Sequence, residues 1–122
     1  QNVLRDEDIV LKSTGEQLRS YCYIADCASA LLSVLLCGAS QNAYNIARGG
    51  QTTTIAGFAQ TVASLSGKKV VFQLPDEAAR VQQSPIQKQV LDTQKLEGLG
   101  WNGYLSIEEG IQHTLSILKD GQ

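Results

Sequence analysis

The stretch from Gln17 to Asp26 reads as a strand that leads directly into a helix start. Successive side chains of a strand point to opposite faces. One face therefore carries Gln17, Arg19, Tyr21 and Tyr23, and the other carries Leu18, Ser20, Cys22 and Ile24. The second face is small and mostly apolar, as a core face should be. The first offers a guanidinium fork for anionic oxygens beside a phenol ring for stacking. It predicts a wall for a polar, anionic, ring-containing ligand, or else a polar surface ladder.

Length, composition and charge exclude several classes of protein. The 122 residues suit one domain of ordinary globular composition, with 43% hydrophobic and 18% charged residues. A net charge of -2 without a basic cluster predicts no nucleic-acid partner. The longest apolar run, from Ala30 to Cys37, is broken by Ser33 and is too short to span a bilayer. We therefore expect no membrane partner either.

The cysteines and the first residues bear on the compartment and on the extent of the chain. Three cysteines without C-x-x-C spacing, beside a single histidine, predict free thiols and no metal site. Free thiols are typical of a reducing compartment, so we expect a cytoplasmic protein. The chain has no methionine and begins with Gln1 and Asn2. We expect it to be a piece of a longer protein.

Hydrophobic spacing and helix signals in the first half predict alternating strands and helices. The expected strands are Asp8–Lys12 and Gln17–Ile24, paired as a hairpin, followed later by Ala43–Ala47. Asp26 is predicted to cap a helix that ends at Gly38, with a buried stripe of Ala28, Leu31, Leu32, Leu35 and Leu36. Thr53 or Thr54 is predicted to cap the next helix, which ends at Gly67.

The second half continues the same alternation. We expect a strand at Lys68–Leu74, an irregular loop at Val81–Gln89 and a short helix at Thr93–Leu99 that Asp92 caps and Trp101 covers. Ser106 and Glu109 form a capping box for a final helix that buries Ile107, Ile111, Leu115 and Leu118. Together these elements predict a mixed α/β fold in a single unit, residues 1–122.

The residues alone contain no recognisable active site. His113 lies on an amphipathic helix without a partnered Ser or Cys motif, so it is predicted to be a solvated surface residue. Most acids are at helix starts, where capping and the helix dipole account for them. The Gly49–Gly50 pair lacks the spacing of a dinucleotide or phosphate loop. We therefore predict no catalytic, metal or cofactor-binding residue in this chain.

Several segments resemble those of a known enzyme family. The segment from Gly15 to Asp26 resembles the G-x-Q-x-R-S-(F/Y)-x-Y-V-x-D segment of the nucleotide-sugar epimerases and dehydratases among the extended short-chain dehydrogenases/reductases. Further similar segments follow in the family's order: Ala43–Ala47, Thr54–Ile55, Ser84–Pro85, Val90–Asp92, Lys95–Leu96, Leu99–Trp101 and Ser106–Ile111. The resemblance extends from about Asp8 to Leu118.

The resemblance implies the C-terminal, substrate-binding part of an extended Rossmann-type enzyme. The family's N-terminal Rossmann half binds NAD or NADP and supplies a Tyr-x-x-x-Lys pair, and neither feature occurs in this chain. Among the matching positions, Arg19 is the arginine that contacts the nucleoside diphosphate, Tyr21 the aromatic residue against the nucleotide, and Gln17 a residue at the pocket mouth. A second cation in the loop before Val90–Asp92 is matched best by Lys88, with Arg80 as the alternative.

The function implied is that of the substrate-binding part of an NAD(P)-dependent epimerase or dehydratase, holding a UDP- or dTDP-sugar. Such a fragment is expected to be inactive without its Rossmann half. The alternative is a stand-alone, non-catalytic binding or regulatory module. The family further implies a homodimer in the parent enzyme. We also expect the fragment to self-associate through apolar surface around Tyr44, Ile46 and the first helix.

Overall fold

The computed structural model describes residues 2–74 and 86–121, which form a mixed α/β fold as predicted. A short 3₁₀ turn at Val3–Arg5 precedes the regular elements. The strands are β1 (Ile9–Leu11), β2 (Leu18–Ser20), β3 (Thr52–Thr54), β4 (Val70–Phe72) and β5 (Lys88–Gln89). The helices are α1 (Ile24–Cys37), α2 (Ile55–Ser66), α3 (Gln94–Glu97) and α4 (Ile107–Asp120). None of the helices within the described ranges has the length and apolar character needed to cross a membrane.

The strands form two small sheets. In the first, β1 and β4 are parallel, with Ile9 opposite Val70. In the second, β2 lies between β3, which is antiparallel to it, and β5, which is parallel. The predicted hairpin is therefore wrong, because the turn after β1 carries the chain from one sheet to the other.

Three further strand predictions need correction. The strand expected at Gln17–Ile24 extends only over Leu18–Ser20, and Ile24 already begins α1. Lys88–Gln89 was expected in an irregular loop, but it pairs with β2 as β5; the predicted loop residues 81–85 lie outside the described residues. The segment Ala43–Ala47 was expected to be a strand, but it has no ladder partner among the described residues. A strand is stable only when a neighbouring strand takes its backbone hydrogen bonds, so sequence preference alone does not form one here.

Local helix signals are confirmed where the partner lies within one turn. The hydroxyl of Thr54 accepts a hydrogen bond from the Gly57 amide at 2.9 Å, as a helix cap does. Gly67 ends α2 in the left-handed conformation, at a φ of 68°. Ser106 and Glu109 form the complete capping box that opens α4.

Asp26 has a different role from the predicted one. Helix α1 begins at Ile24 with Tyr23 as its N-cap, so Asp26 lies inside the first turn. Its buried carboxylate accepts hydrogen bonds from the backbone amides of Tyr104 and Leu105, each at 2.9 Å. Asp26 therefore joins α1 to the loop before α4 and does not cap its own helix.

The small core lies between α1, α3 and the segment after α3 that contains Trp101. Ala30, Leu96 and Trp101 form the buried cluster, and the Trp101 indole Nε1 donates to the Ser29 hydroxyl at 2.8 Å. The predicted position of Trp101 is thus confirmed.

The predicted buried stripe of α1 is wrong. Leu31, Leu32, Leu35 and Leu36 are 58–80% exposed, because α1 packs inward through small residues such as Ala30. Leu118 at the end of α4 is exposed as well, although Ile111 is buried as predicted. The four exposed leucines of α1 form an apolar face that no described residue covers. We call Leu31, Leu32, Leu35 and Leu36 the outer face of α1.

Candidate functional site

Strand β2 is the central strand of its sheet and the centre of the candidate site. Arg19 lies opposite Thr53 of β3 on one side and opposite Gln89 of β5 on the other. Pairing on both sides fixes the backbone of β2. The direction of its side chains is therefore fixed by the sheet.

The Arg19 guanidinium is held by two backbone carbonyls. Its Nη1 donates to the Leu18 carbonyl at 2.8 Å, and its Nη2 donates to the Ile86 carbonyl at 3.0 Å. A guanidinium has five N–H donors in a planar fork. The donors that remain have no acceptor among the described residues. Arg19 is therefore a half-buried, oriented cation with donors available for an anionic ligand.

Tyr21 lies against the next layer of the structure. Its ring stacks on Phe58 of α2, with ring centroids 4.6 Å apart and planes 12° apart. One ring face is thus covered by Phe58 and is closed to a ligand. Burial raises the pKa of the Tyr21 phenol, and the nearby Arg19 guanidinium only partly offsets this rise. The hydroxyl is therefore protonated at neutral pH and can donate a hydrogen bond.

Gln17 is buried and incompletely satisfied. Its side chain is 7% exposed, and its Oε1 has no hydrogen-bond partner among the described residues. Its backbone carbonyl accepts from the Ile55 amide at 3.1 Å, which fixes the residue beside the start of α2. A buried amide oxygen without a donor costs free energy, so this oxygen is suited to accept a hydrogen bond from a group outside the described residues.

Lys88 lies next to β2 but on the other face. It pairs with Leu18, whereas its neighbour Gln89 pairs with Arg19. Paired residues of neighbouring strands share a face, so Gln89 is on the side of Arg19 and the exposed Lys88 is not. The alternative, Arg80, lies outside the described residues. The structure thus places Arg19 within β2, with Gln17 directly before the strand and Tyr21 directly after it. A shared ligand contact of these residues, and one at Lys88, stays a prediction.

A cavity of about 250 Å³ adjoins Tyr21, and no motif in the sequence predicted it. Its walls are the connection from β2 to α1, helix α2 and helix α4. Gly110 makes close packing possible at this point, because a Cβ there would lie 3.0 Å from the Tyr23 ring. The Tyr23 hydroxyl and His113 Nδ1 are 2.7 Å apart and join the start of α1 to α4. His113 is exposed, as predicted, but it is bound to Tyr23.

Arg48 is a further polar residue of binding interest that sequence reasoning missed. Its Nη1 is buried and has no hydrogen-bond partner among the described residues. Gly103, at a φ of 69°, leaves room for the Arg48 side chain, since a Cβ there would lie 3.0 Å from Arg48 Cγ. The glycine at position 103 is the one sequence feature that indicates close packing against the Arg48 side chain.

The described residues offer neither a metal centre nor a dinucleotide loop. They include no group of three or more His, Cys, Asp or Glu side chains that could hold a metal ion. The cysteines are free thiols, and burial raises the pKa of Cys22 to about 11. Strand β3 runs directly into α2 without a glycine-rich turn, so this junction does not fit the pyrophosphate of a dinucleotide.

The sequence of this chain is similar to those of known nucleotide-sugar enzymes. Residues 1–47 match the sequence model of the NAD dependent epimerase/dehydratase family. UDP-glucuronic acid decarboxylase 5 of Arabidopsis thaliana is 30% identical over 112 residues, which are 88% of this chain and 30% of that protein. These matches support this family. The chain spans about a third or less of the curated relatives that it matches.

Two solved structures share the fold. The dTDP-glucose 4,6-dehydratase of Bacillus anthracis str. Ames, solved with NAD, superposes with a TM-score of 0.82 at 20% identity, over 99% of this chain and 37% of that chain. The UDP-glucose 4-epimerase of Thermotoga maritima, solved with UDP-glucose, superposes with a TM-score of 0.75 at 25% identity. The superposition covers 98% of this chain and 37% of that chain. The predicted Rossmann-type epimerase/dehydratase fold class is thereby confirmed.

Proposed function

We propose that this chain is the substrate-binding, C-terminal part of an NAD(P)-dependent nucleotide-sugar epimerase or dehydratase. The observation that carries the proposal is the state of Arg19. Two carbonyls orient its guanidinium, and its other donors have no acceptor among the described residues. An oriented cation of this kind suits the diphosphate of a UDP- or dTDP-sugar, because phosphate oxygens accept paired hydrogen bonds from a guanidinium fork. The family match over residues 1–47 includes this strand and supports the assignment.

Gln17 and Tyr21, which lie directly before and after β2, add selectivity to this anchor. The Gln17 Oε1 accepts a hydrogen bond from a hydroxyl or N–H of the ligand, and the Tyr21 hydroxyl donates one. Lys88, on the opposite face of the neighbouring strand, contributes positive charge only at longer range. Binding energy on the nucleotide handle holds the sugar in place for chemistry carried out by the rest of the enzyme.

The cofactor, NAD or NADP, belongs to the remainder of the parent enzyme. There it would supply the hydride-transfer chemistry of the reaction. The described residues contribute substrate binding to that reaction, and the chain alone is inactive. Complementation tests this division: a separately produced N-terminal half should restore turnover when mixed with this chain. Turnover by this chain alone would contradict the proposal.

The remainder of the parent also provides a cover for the outer face of α1. Leu35 and Leu36 are 78% and 80% exposed, which is unusual for adjacent leucines on an amphipathic helix. We propose that the cytoplasmic parent enzyme is a homodimer, and that the isolated chain associates with itself through this face.

A stand-alone binding or regulatory module is the second candidate function. It would use the same binding residues, Gln17, Arg19 and Tyr21, without a catalytic step. The encoding gene separates the two candidates. A glycine-rich strand–helix unit and a Tyr-x-x-x-Lys pair upstream of Gln1 support the enzyme, and their absence supports the module.

Thermal unfolding with sugar nucleotides tests the binding function itself. UDP-glucose and dTDP-glucose should each raise the Tm of the wild-type chain, because a ligand that binds only the folded state stabilises it. The Arg19→Ala variant should show no such rise. Equal rises in the wild type and in Arg19→Ala would remove Arg19 from the site.

A further inference from the structure

The cavity beside Tyr21 has the size of a small-molecule site. Its volume is about 250 Å³, and three parts of the fold enclose it: the β2–α1 connection, α2 and α4. Apolar cavities of roughly 150 Å³ already admit a benzene ring. One substituted ring therefore fits here, whereas a whole nucleotide does not.

The lining of the cavity determines the charge of its ligand. Aromatic and aliphatic side chains dominate the lining, among them Tyr21, Phe58, Ile107 and Ile111. No Lys, Arg, His, Asp or Glu is among the described residues that line it. A charged ligand would lose its hydration here without gaining a partner of opposite charge. The cavity therefore selects an uncharged ligand.

Two polar groups of the lining are available to this ligand. The Gln51 Oε1 accepts from the Ile107 amide at 2.9 Å, which leaves its Nε2 without a partner among the described residues. The Tyr21 hydroxyl makes no hydrogen bond with them either. Tyr21 and Gln51 both line the cavity. A ring with one hydroxyl or carbonyl group would satisfy polar groups that the described part of the chain leaves unpaired.

We propose that this cavity is a binding site for one uncharged aromatic ring carrying a hydroxyl or carbonyl group. The site is separate from the anion-binding donors of Arg19 and does not depend on the proposed function. Tyr21 belongs to both regions.

Fluorine NMR with fluorophenol and fluorobenzoate tests this site on the full chain. Fluorophenol should bind saturably to the wild type, and fluorobenzoate should bind at least roughly tenfold more weakly because its carboxylate is charged. Fluorophenol should bind Arg19→Ala as it binds the wild type. Absence of saturation with fluorophenol, or equal binding of the two probes, would overturn the proposal.

Two variants locate the ring in the cavity. Ile111→Phe fills the space and should abolish saturable fluorophenol binding, whereas Ile117→Phe on the exposed side of the same helix should preserve it. If circular dichroism shows that Ile111→Phe is unfolded, Tyr21→Phe replaces it and should weaken binding roughly tenfold through loss of one hydrogen bond. Binding unchanged in the folded variant would contradict this location.

Discussion

Helices α1 and α4 have the same length of 14 residues and apolar residues at helical spacing, yet they are used differently. Helix α4 begins with a capping box and buries Ile111 against the rest of the chain. Helix α1 buries Ala30 and Asp26 and exposes its leucines. Apolar residues at helical spacing thus identify a helix face that favours burial. The spacing does not tell whether residues of the same chain bury that face.

The inner face of α1 is held by a few specific contacts. Ser29 accepts from the Trp101 indole, and Asp26 accepts from two backbone amides of the loop before α4. These contacts replace the leucine packing that the spacing predicted. Substitutions on the inner face of α1 should therefore lower stability, whereas substitutions on its outer face should leave stability nearly unchanged and affect self-association.

The largest effect is expected at Trp101. Trp101→Ala removes the largest member of the buried cluster and should lower the free energy of unfolding by about 3 to 5 kcal/mol. Tyr104→Ala, at a side chain that is 76% exposed, is the matched control and should change little. Urea unfolding followed by circular dichroism measures both variants. Similar losses in the two would show that Trp101 is not central to the core.

Asp26 should follow closely. Asp26→Ala leaves the amides of Tyr104 and Leu105 without their acceptor and should cost about 3 kcal/mol, given the strength of hydrogen bonds to a charged group. Asp26→Asn keeps one side-chain oxygen and should lose less. Urea unfolding compares the three proteins. A stability of Asp26→Ala equal to that of the wild type would mean that this link between α1 and α4 carries no free energy.

Asp26 and the helix caps also show how far the sequence could predict the structure. Thr54, Gly67 and the Ser106–Glu109 capping box were predictable because their partners lie within one helical turn. The role of Asp26 was not, since its carboxylate serves amides 78 and 79 residues away.

The candidate site divides in the same way. The grouping of Gln17, Arg19 and Tyr21 was predicted from strand alternation, which is a local property, but β2 contains only Arg19 of the three. Three other features depend on contacts between distant segments. They are the stacking of Phe58 on Tyr21, the hydrogen bond from Arg19 to the Ile86 carbonyl, and the strand face on which Lys88 lies. Nothing in a single sequence fixes such registers.

The start of α4 should give a smaller, pH-dependent effect. Hydrogen bonds from Ser106 lower the pKa of Glu109 from its ordinary value of 4.5. The folded state therefore binds this proton less readily, so the stabilisation is fully present above pH 4.5 and is lost as the pH falls through the lowered value. Glu109→Gln should remove this dependence from thermal unfolding curves, and Glu108→Gln should keep it. Identical pH profiles for both variants would contradict the capping account.

The smallest effect on stability is expected on the outer face of α1. Leu35→Lys with Leu36→Lys should change the free energy of unfolding by no more than about 0.5 kcal/mol, because both side chains are already exposed. The same double variant should abolish self-association in sedimentation velocity, whereas Ile117→Lys on α4 should not. A wild-type chain that stays monomeric at high concentration would refute a role for this face in association.

The central claim is that Arg19 on β2 anchors a nucleoside diphosphate, and calorimetric titration with UDP-glucose tests it most directly. Arg19→Ala should weaken binding roughly tenfold or more, and Arg19→Lys should restore only part of the loss because an ammonium lacks the planar fork. Arg5→Ala, at an exposed arginine of the 3₁₀ turn, should bind as the wild type does. A wild-type affinity in Arg19→Ala would contradict the account.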